Sequence, residues 1–225
     1  MKPLTALTGR GLPLARADVD TDQIIPAAWL KKTTRTGYGE GLFSQWRQDP
    51  SFITNRPERR GATILVAGPN FGCGSSREHA AWALRDFGFT AVVAPGFGDI
   101  FRNNLPNAGL VPAQVSADVA DSLLRATTRD PYAEITIDVV GRTLGCPAAG
   151  VTGAPFRLDD SAHHRLVNGL ELLDLALSLG PSISAYERAR APWLPVGQAG
   201  SPGTGSPSRT GAVKTERAGR TEGTG

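Results

Sequence analysis

Residues 70–102, NFGCGSSREHAAWALRDFGFTAVVAPGFGDIFR, decide how this chain folds. The stretch follows Gly68-Pro69 and forms with them a loop in which Gly68, Gly72 and Gly74 let the backbone take positive φ and approach a ligand closely. Ser75 and Glu78 fit the S-x-x-E capping box, which predicts a helix capped by Ser75. Ala80, Ala83, Leu84 and Phe87 recur at helical spacing as the apolar face, and Gly88 ends the helix. Ala62–Ala67 before the loop and Thr90–Ala94 after the helix read as buried strands. The unit is strand, glycine loop, helix, strand, which predicts an α/β fold.

Such a unit brings the amides of Gly72, Cys73 and Gly74, a helix N-terminus and the Arg77 guanidinium to one point. That is the physics of an anion site, for phosphate or for carboxylate. Ser75 as a helix cap and Ser75 as a reactive oxygen are compatible, since amides at a helix start also hold an alkoxide. Other chemistries fit less well. G-C-G-S-S is not the G-x-S-x-G nucleophile elbow, G-x-x-x-x-G-K-[ST] is absent, and Gly72-x-Gly74-x-x-Arg77 lacks the third glycine of a dinucleotide fingerprint. His79 reads as packed or solvated, and Cys73 as a small packed residue rather than a reactive thiol. His163 and His164 are adjacent and point to different helix faces, so they make a poor metal pair.

The chain has 225 residues, 40% of them hydrophobic, enough for one domain with a substantial core. No apolar run approaches the roughly 20 residues that cross a bilayer, and the N-terminus is a poor secretory signal, so a cytoplasmic protein without membrane contact is expected. Of the formal charge of +3, residues 196–225 hold +2, which leaves the folded part nearly neutral and argues against a nucleic-acid partner. Two cysteines cannot supply the thiolates of an iron–sulfur cluster or a structural zinc, so no metal is expected on this chain.

Along the chain, residues 4–25 predict a short strand followed by Asp18-Val-Asp20-Thr-Asp22. This acidic run lacks the glycine and glutamate of a calcium loop and reads as a turn leading into an extended Ile-Ile-Pro26. Glu40–Pro57 predicts a short helix and an irregular connection. Strands are expected at Leu110–Val115, Glu134–Val140 and about Ala154–Leu158, with helices from Asp99 and over 117–126. Residues 161–191 are helical by pattern, broken at Gly169 and Gly180-Pro181. Residues 1–195 form the expected domain. The Gly/Ser/Pro-rich remainder, 196–225, is expected to be a disordered tail.

Several pieces, in order across residues 4–195, together resemble one family. They are Asp18–Pro26, Thr34–Gly37, Leu42-Phe43 with Trp46-Arg47, Asn70–His79, Asp99-Ile-Phe-Arg102, Val167–Leu170 and Ala185–Glu187. The family is the small subunit of 3-isopropylmalate dehydratase, in the aconitase superfamily. Leu172-Leu173 and Ala176 depart from its pattern, away from the chemistry. The resemblance implies an aconitase-like swivelling β/β/α domain that docks on a large subunit carrying a [4Fe–4S] cluster. The pair would interconvert 2-isopropylmalate and 3-isopropylmalate through 2-isopropylmaleate. It implies Ser75 as catalytic base, Ser76 and Arg77 as ligands of the small dicarboxylate substrate, and Arg35 in a substrate-recognition loop. Two rivals stand beside it: a related hydro-lyase for a homoaconitate- or methylmalate-type diacid, and a stand-alone module that only binds a small anion.

Overall fold

The computed structural model describes residues 1–31 and 36–190. Strand β1 (Ala6–Leu14) is followed by a helical turn, α1 (Thr21–Ile24), and a run of short 3-10 turns. Then come β2 (Ile64–Ala67), α2 (Glu78–Phe87), β3 (Ala91–Ala94), α3 (Asp99–Asn107), β4 (Val111–Gln114) and α4 (Ala117–Arg129). Three further strands, β5 (Glu134–Asp138), β6 (Thr143–Cys146) and β7 (Val151–Pro155), precede α5 (Asp160–Asn168), α6 (Leu172–Ser178) and α7 (Gly180–Ala189).

All seven strands share one sheet, in the order β4-β3-β2-β1-β5-β6-β7. The half from β4 to β1 is parallel and the half from β1 to β7 antiparallel. β1 serves both: Gly11–Leu14 pair with β2, and Ala6–Arg10 pair with β5. Parallel neighbours need crossovers, which α2 and α3 supply. A Cβ on Gly11 would sit 2.4 Å from Thr127 Cγ2, so glycine is what lets α4 lie on β1. At the far side Gln114 and Arg157 exchange backbone hydrogen bonds of 3.3 and 2.7 Å, and the sheet curls back on itself.

The core divides between the two sheet faces. Leu12, Leu65, Ala67 and Val92 pack with Ala80, Ala83 and Leu84 of α2 and with Phe101 of α3. Ile64, Val66 and Val93 pack on the other face with Leu123 of α4 and Ile135 and Ile137 of β5. Helices on both faces make β2 and β3 wholly buried, whereas β5 alternates, with Glu134, Thr136 and Asp138 outward.

The expected strands at Ala62–Ala67, Thr90–Ala94, Leu110–Val115 and Glu134–Val140 are present, as is the break at Gly169, while the second break falls at Leu179, with Gly180 and Pro181 opening α7. Three expectations need correction. Helix α2 begins at Glu78 rather than after Ser75, with Arg77 at its cap and no side-chain cap bond. The carbonyl of Ser75 is held by Thr21 Oγ1 at 3.0 Å, and Arg77 is extended at φ −138°, so the chain cannot turn helical two residues earlier. A capping box does form, but at Asp20 and Gln23, which makes the acidic turn a helical one. The strand expected near Ala154–Leu158 lies at Val151–Pro155, and β6 was not expected, because Thr-Leu-Gly-Cys is short and glycine-interrupted.

Contacts divide the chain into Met1–Ser182 and a second unit from Ile183, whose described part continues α7. The boundary expected at 195 and the tail at 196–225 lie outside the described residues. Among the described residues no helix is long and apolar enough to cross a membrane.

The alternation on β5 is testable. Ile137→Ala removes a fully buried side chain and is expected to cost about 2–5 kcal/mol in urea unfolding, whereas outward Glu134→Ala should stay within about 0.5 kcal/mol of the unaltered chain.

Candidate active site

The loop after β2 is pinned to the segment after β1. Asp18 N donates to Pro69 O at 3.0 Å, Asn70 Nδ2 donates to Asp18 Oδ1 at 2.8 Å, and Thr21 N donates to Cys73 O at 3.0 Å. The carbonyl of Val19 accepts from both Gly72 N (2.7 Å) and Cys73 N (3.2 Å). The loop after β3 holds the other side, with Phe71 N on Gly96 O and Gly98 N on Phe71 O, each at 3.0 Å. Phe71 is fully buried and meets Phe101 edge-on at 5.5 Å. Gly72 has φ +76°, and a Cβ there would lie 2.2 Å from the Phe101 ring.

This bonding corrects the expected anion loop. The amides of Gly72 and Cys73 are spent on Val19 and cannot face a ligand. Among the described residues, the amides of Gly74, Ser75, Ser76 and Arg77 meet no acceptor, so the free donors begin at Gly74, two residues later than expected. Ser75 and Ser76 are exposed, and neither hydroxyl bonds to another described residue. The open amides lead directly into the positive end of the ten-residue helix α2.

Arg77 is mostly buried, its side chain 16% exposed, and it is paired with Asp22, which is 56% exposed. Its Nη1 donates to Asp22 Oδ1 and, at 3.5 Å, to the carbonyl of Ile25. The edge formed by Nε and Nη2 has no described partner, and that edge can meet a carboxylate in the two-point fashion that guanidinium geometry favours.

The neighbouring groups are committed. His79 packs against Trp82 (4.7 Å) and Tyr38 (5.2 Å), in line with a packed histidine. Burial pushes the Cys73 thiol above its ordinary range, and the charges of Asp20 and Asp18 push the same way, so it stays protonated near neutrality. Cys73 lies on the loop, while Cys146 is buried in the cluster beneath the antiparallel strands, and among the described residues no three His, Cys, Asp or Glu side chains gather to hold a metal. Two separated cysteines do not fit an iron–sulfur cluster. Arg35 lies outside the described residues.

Thus the structure brings Ser75, Ser76, Arg77 and Gly74 together and sets Gly72 and Cys73 beneath them as supports. Sequence reasoning missed Val19, Thr21 and Asp22, which hold the loop. The signal was available in Asp20-Thr-Asp-Gln23, whose D-x-x-Q spacing is itself a helix-start pattern.

The chain has counterparts among known proteins. A family model described as the aconitase C-terminal domain matches residues 1–118, which contain the whole loop and α2. A 3-isopropylmalate dehydratase small subunit of Parafrankia sp. (strain EAN1pec) is 52% identical over 196 residues, covering 87% of this chain and 99% of its own length. This chain belongs to that family of small subunits. The small subunit of Streptomyces coelicolor is 51% identical over 195 residues, covering 87% of this chain and 98% of its own. In three dimensions, the crystal structure of a 3-isopropylmalate dehydratase from Methanocaldococcus jannaschii aligns with a TM-score of 0.57 at 26% identity, covering 81% of this chain and 99% of that one. Membership confirms the aconitase-type α/β fold implied by the motif set.

Two outcomes follow for the loop. Gly72→Ala combines positive φ with an overlap on Phe101, and its unfolding free energy is expected to fall by at least about 2 kcal/mol. Alkylation of Cys73 by iodoacetamide, read by mass spectrometry at pH 8, is expected to be slower than that of a free thiol and to accelerate as pH rises further.

Proposed function

We propose that this chain is the small subunit of a 3-isopropylmalate dehydratase, a hydro-lyase that works only with a large subunit. The observation that carries the reading is the meeting of an uncommitted serine hydroxyl, four open amides and the open edge of Arg77 in a chain half identical to proteins of that name. The names of those relatives support isopropylmalate over a homoaconitate- or methylmalate-type diacid. Chemistry by Ser75 stands in place of mere anion binding.

The reaction removes water from 2-isopropylmalate and returns it with the opposite regiochemistry. Ser75, as the alkoxide, takes the proton from the carbon beside a carboxylate, and the electron pair of that C–H bond becomes the new double bond as hydroxide leaves. The four amides offset the negative charge on the serine oxygen before transfer. Ser75 then returns the proton to the other carbon of 2-isopropylmaleate as hydroxide adds to the carbon that had lost it. Arg77 and Ser76 hold the substrate carboxylate, and Asp22 keeps Arg77 turned so that its second edge faces out. Arg35 serves substrate choice.

The same reading assigns the [4Fe–4S] cluster to the large subunit, since the two cysteines here do not fit one. It also makes the working enzyme a heterodimer or a multiple of one, in the cytoplasm.

An anaerobic pull-down of the tagged chain tests the partnership. An iron-bearing chain is expected to co-elute, with hydration of 2-isopropylmaleate in the eluate, and an active chain free of iron would overturn it. In that complex Ser75→Ala is expected to lower kcat roughly 10²–10⁴-fold with substrate binding retained. Arg77→Gln should raise KM about 10- to 100-fold, the worth of a hydrogen bond to a charged group. Unchanged turnover in Ser75→Ala would remove Ser75 as the base.

A further inference from the structure

We propose that Thr21 is a positioning residue for the reaction: its hydroxyl keeps Ser75 from capping α2 and so leaves the Ser75 hydroxyl open to substrate. The inference rests on the reading of Ser75 as the base. It adds a second state of the loop, one that the local sequence favours and a distant contact suppresses.

Ser75-x-x-Glu78 is a complete capping box. Were α2 to start there, the Ser75 hydroxyl oxygen would accept from the amide of Glu78, and the Glu78 carboxylate would reach back to the amide of Ser75. The serine oxygen and one of the four open amides would then be committed to the helix start. Ser76 and Arg77 would enter its first turn. Arg77 would leave the extended backbone, φ −138° and ψ 103°, from which its side chain meets Asp22. A loop in that state offers substrate neither a free base nor a turned guanidinium.

Thr21 opposes this start. It is 1% exposed and opens α1 directly after its cap at Asp20. Its backbone is held on both sides, with Thr21 N donating to Cys73 O and Thr21 O accepting from Ile25 N, each at 3.0 Å. The hydroxyl, fixed by that frame, donates to the carbonyl of Ser75 at 3.0 Å. A residue that caps a helix must present this carbonyl to the amide four places on, here His79. Thr21 turns it towards α1 instead. A helix cap and one neutral hydrogen bond are of similar strength, so a single hydroxyl can decide between the two starts.

Because the capped start binds no substrate, its population weakens apparent affinity and leaves the saturated rate alone. Thr21→Val removes the hydroxyl and keeps the branched shape. In the complex with the large subunit its KM for 2-isopropylmaleate is expected to rise about three- to tenfold, the effect of losing one hydrogen bond, with kcat within about twofold. Thr21→Ser should keep the KM of the unaltered chain. Glu78→Ala removes the returning half of the box, and in the Thr21→Val chain it should bring KM back down. In the full chain alone, hydrogen exchange over residues 75–79, read by mass spectrometry, is expected to slow in Thr21→Val and to recover with Glu78→Ala. Unaltered KM in Thr21→Val, a fall in kcat in its place, the same defect in Thr21→Ser, or no recovery with Glu78→Ala would each overturn the proposal. Ser75→Ala separates it from the reading beneath: full turnover there removes Ser75 as the base and this role of Thr21 with it, whereas lost turnover there beside an unaltered Thr21→Val removes the role of Thr21 alone.

Discussion

The carbonyl of Val19 accepts two consecutive amides, those of Gly72 and Cys73, and the local architecture depends on that double bond. It ties the segment leaving β1 to the segment leaving β2, two strands that are neighbours in the sheet. Once it forms, Cys73 pairs with Asp20, Thr21 reaches the carbonyl of Ser75, and the chain is kept extended through Arg77. The helix can then begin only at Glu78. Everything that makes the site polar and open, from the exposed serines to the free amides, follows from delaying that start.

Much of this was legible in the sequence. The strand–loop–helix–strand unit could be read because its apolar runs are continuous, its helix has a clean apolar face, and Gly88 stops it at φ +114° as a left-handed cap should. The two sheet faces could not be read, because β1 looks like an ordinary entry strand until its partners on both sides are known. Ser75 shows why local rules fail at such a place. A capping signal was present, yet a contact from Thr21, more than fifty positions away in the chain, overrode it. The donors that could face a ligand were likewise displaced by two residues, because a tertiary acceptor claimed the first two. The role given to Arg35 came from resemblance, while the sequence around it, Trp29–Gly39, stands out only as basic, glycine-punctuated and too polar for a core.

Charge is handled in the same manner. Asp18, Asp20 and Asp22 crowd the loop, but each is directed: Asp18 to Asn70, Asp20 to the cap of α1, and Asp22 to Arg77. The surroundings of the site are therefore less cationic than a bare arginine beside a helix start would make them. An anion arriving there must be recognised by geometry as well as by charge. The exposure of Asp22 keeps its grip on Arg77 soft, since a solvated ion pair contributes little net stability.

The backbone exchange between Gln114 and Arg157 bears on how another protein can meet this one. β4 is the outermost strand of the parallel half, and a bare outer strand is a template onto which a foreign strand can add. Here that position already has a neighbour from the chain's own later residues. A visiting subunit consequently finds side chains, loops and helix ends there instead of a row of unpaired peptide groups, and its fit is decided by shape rather than by continuation of the sheet.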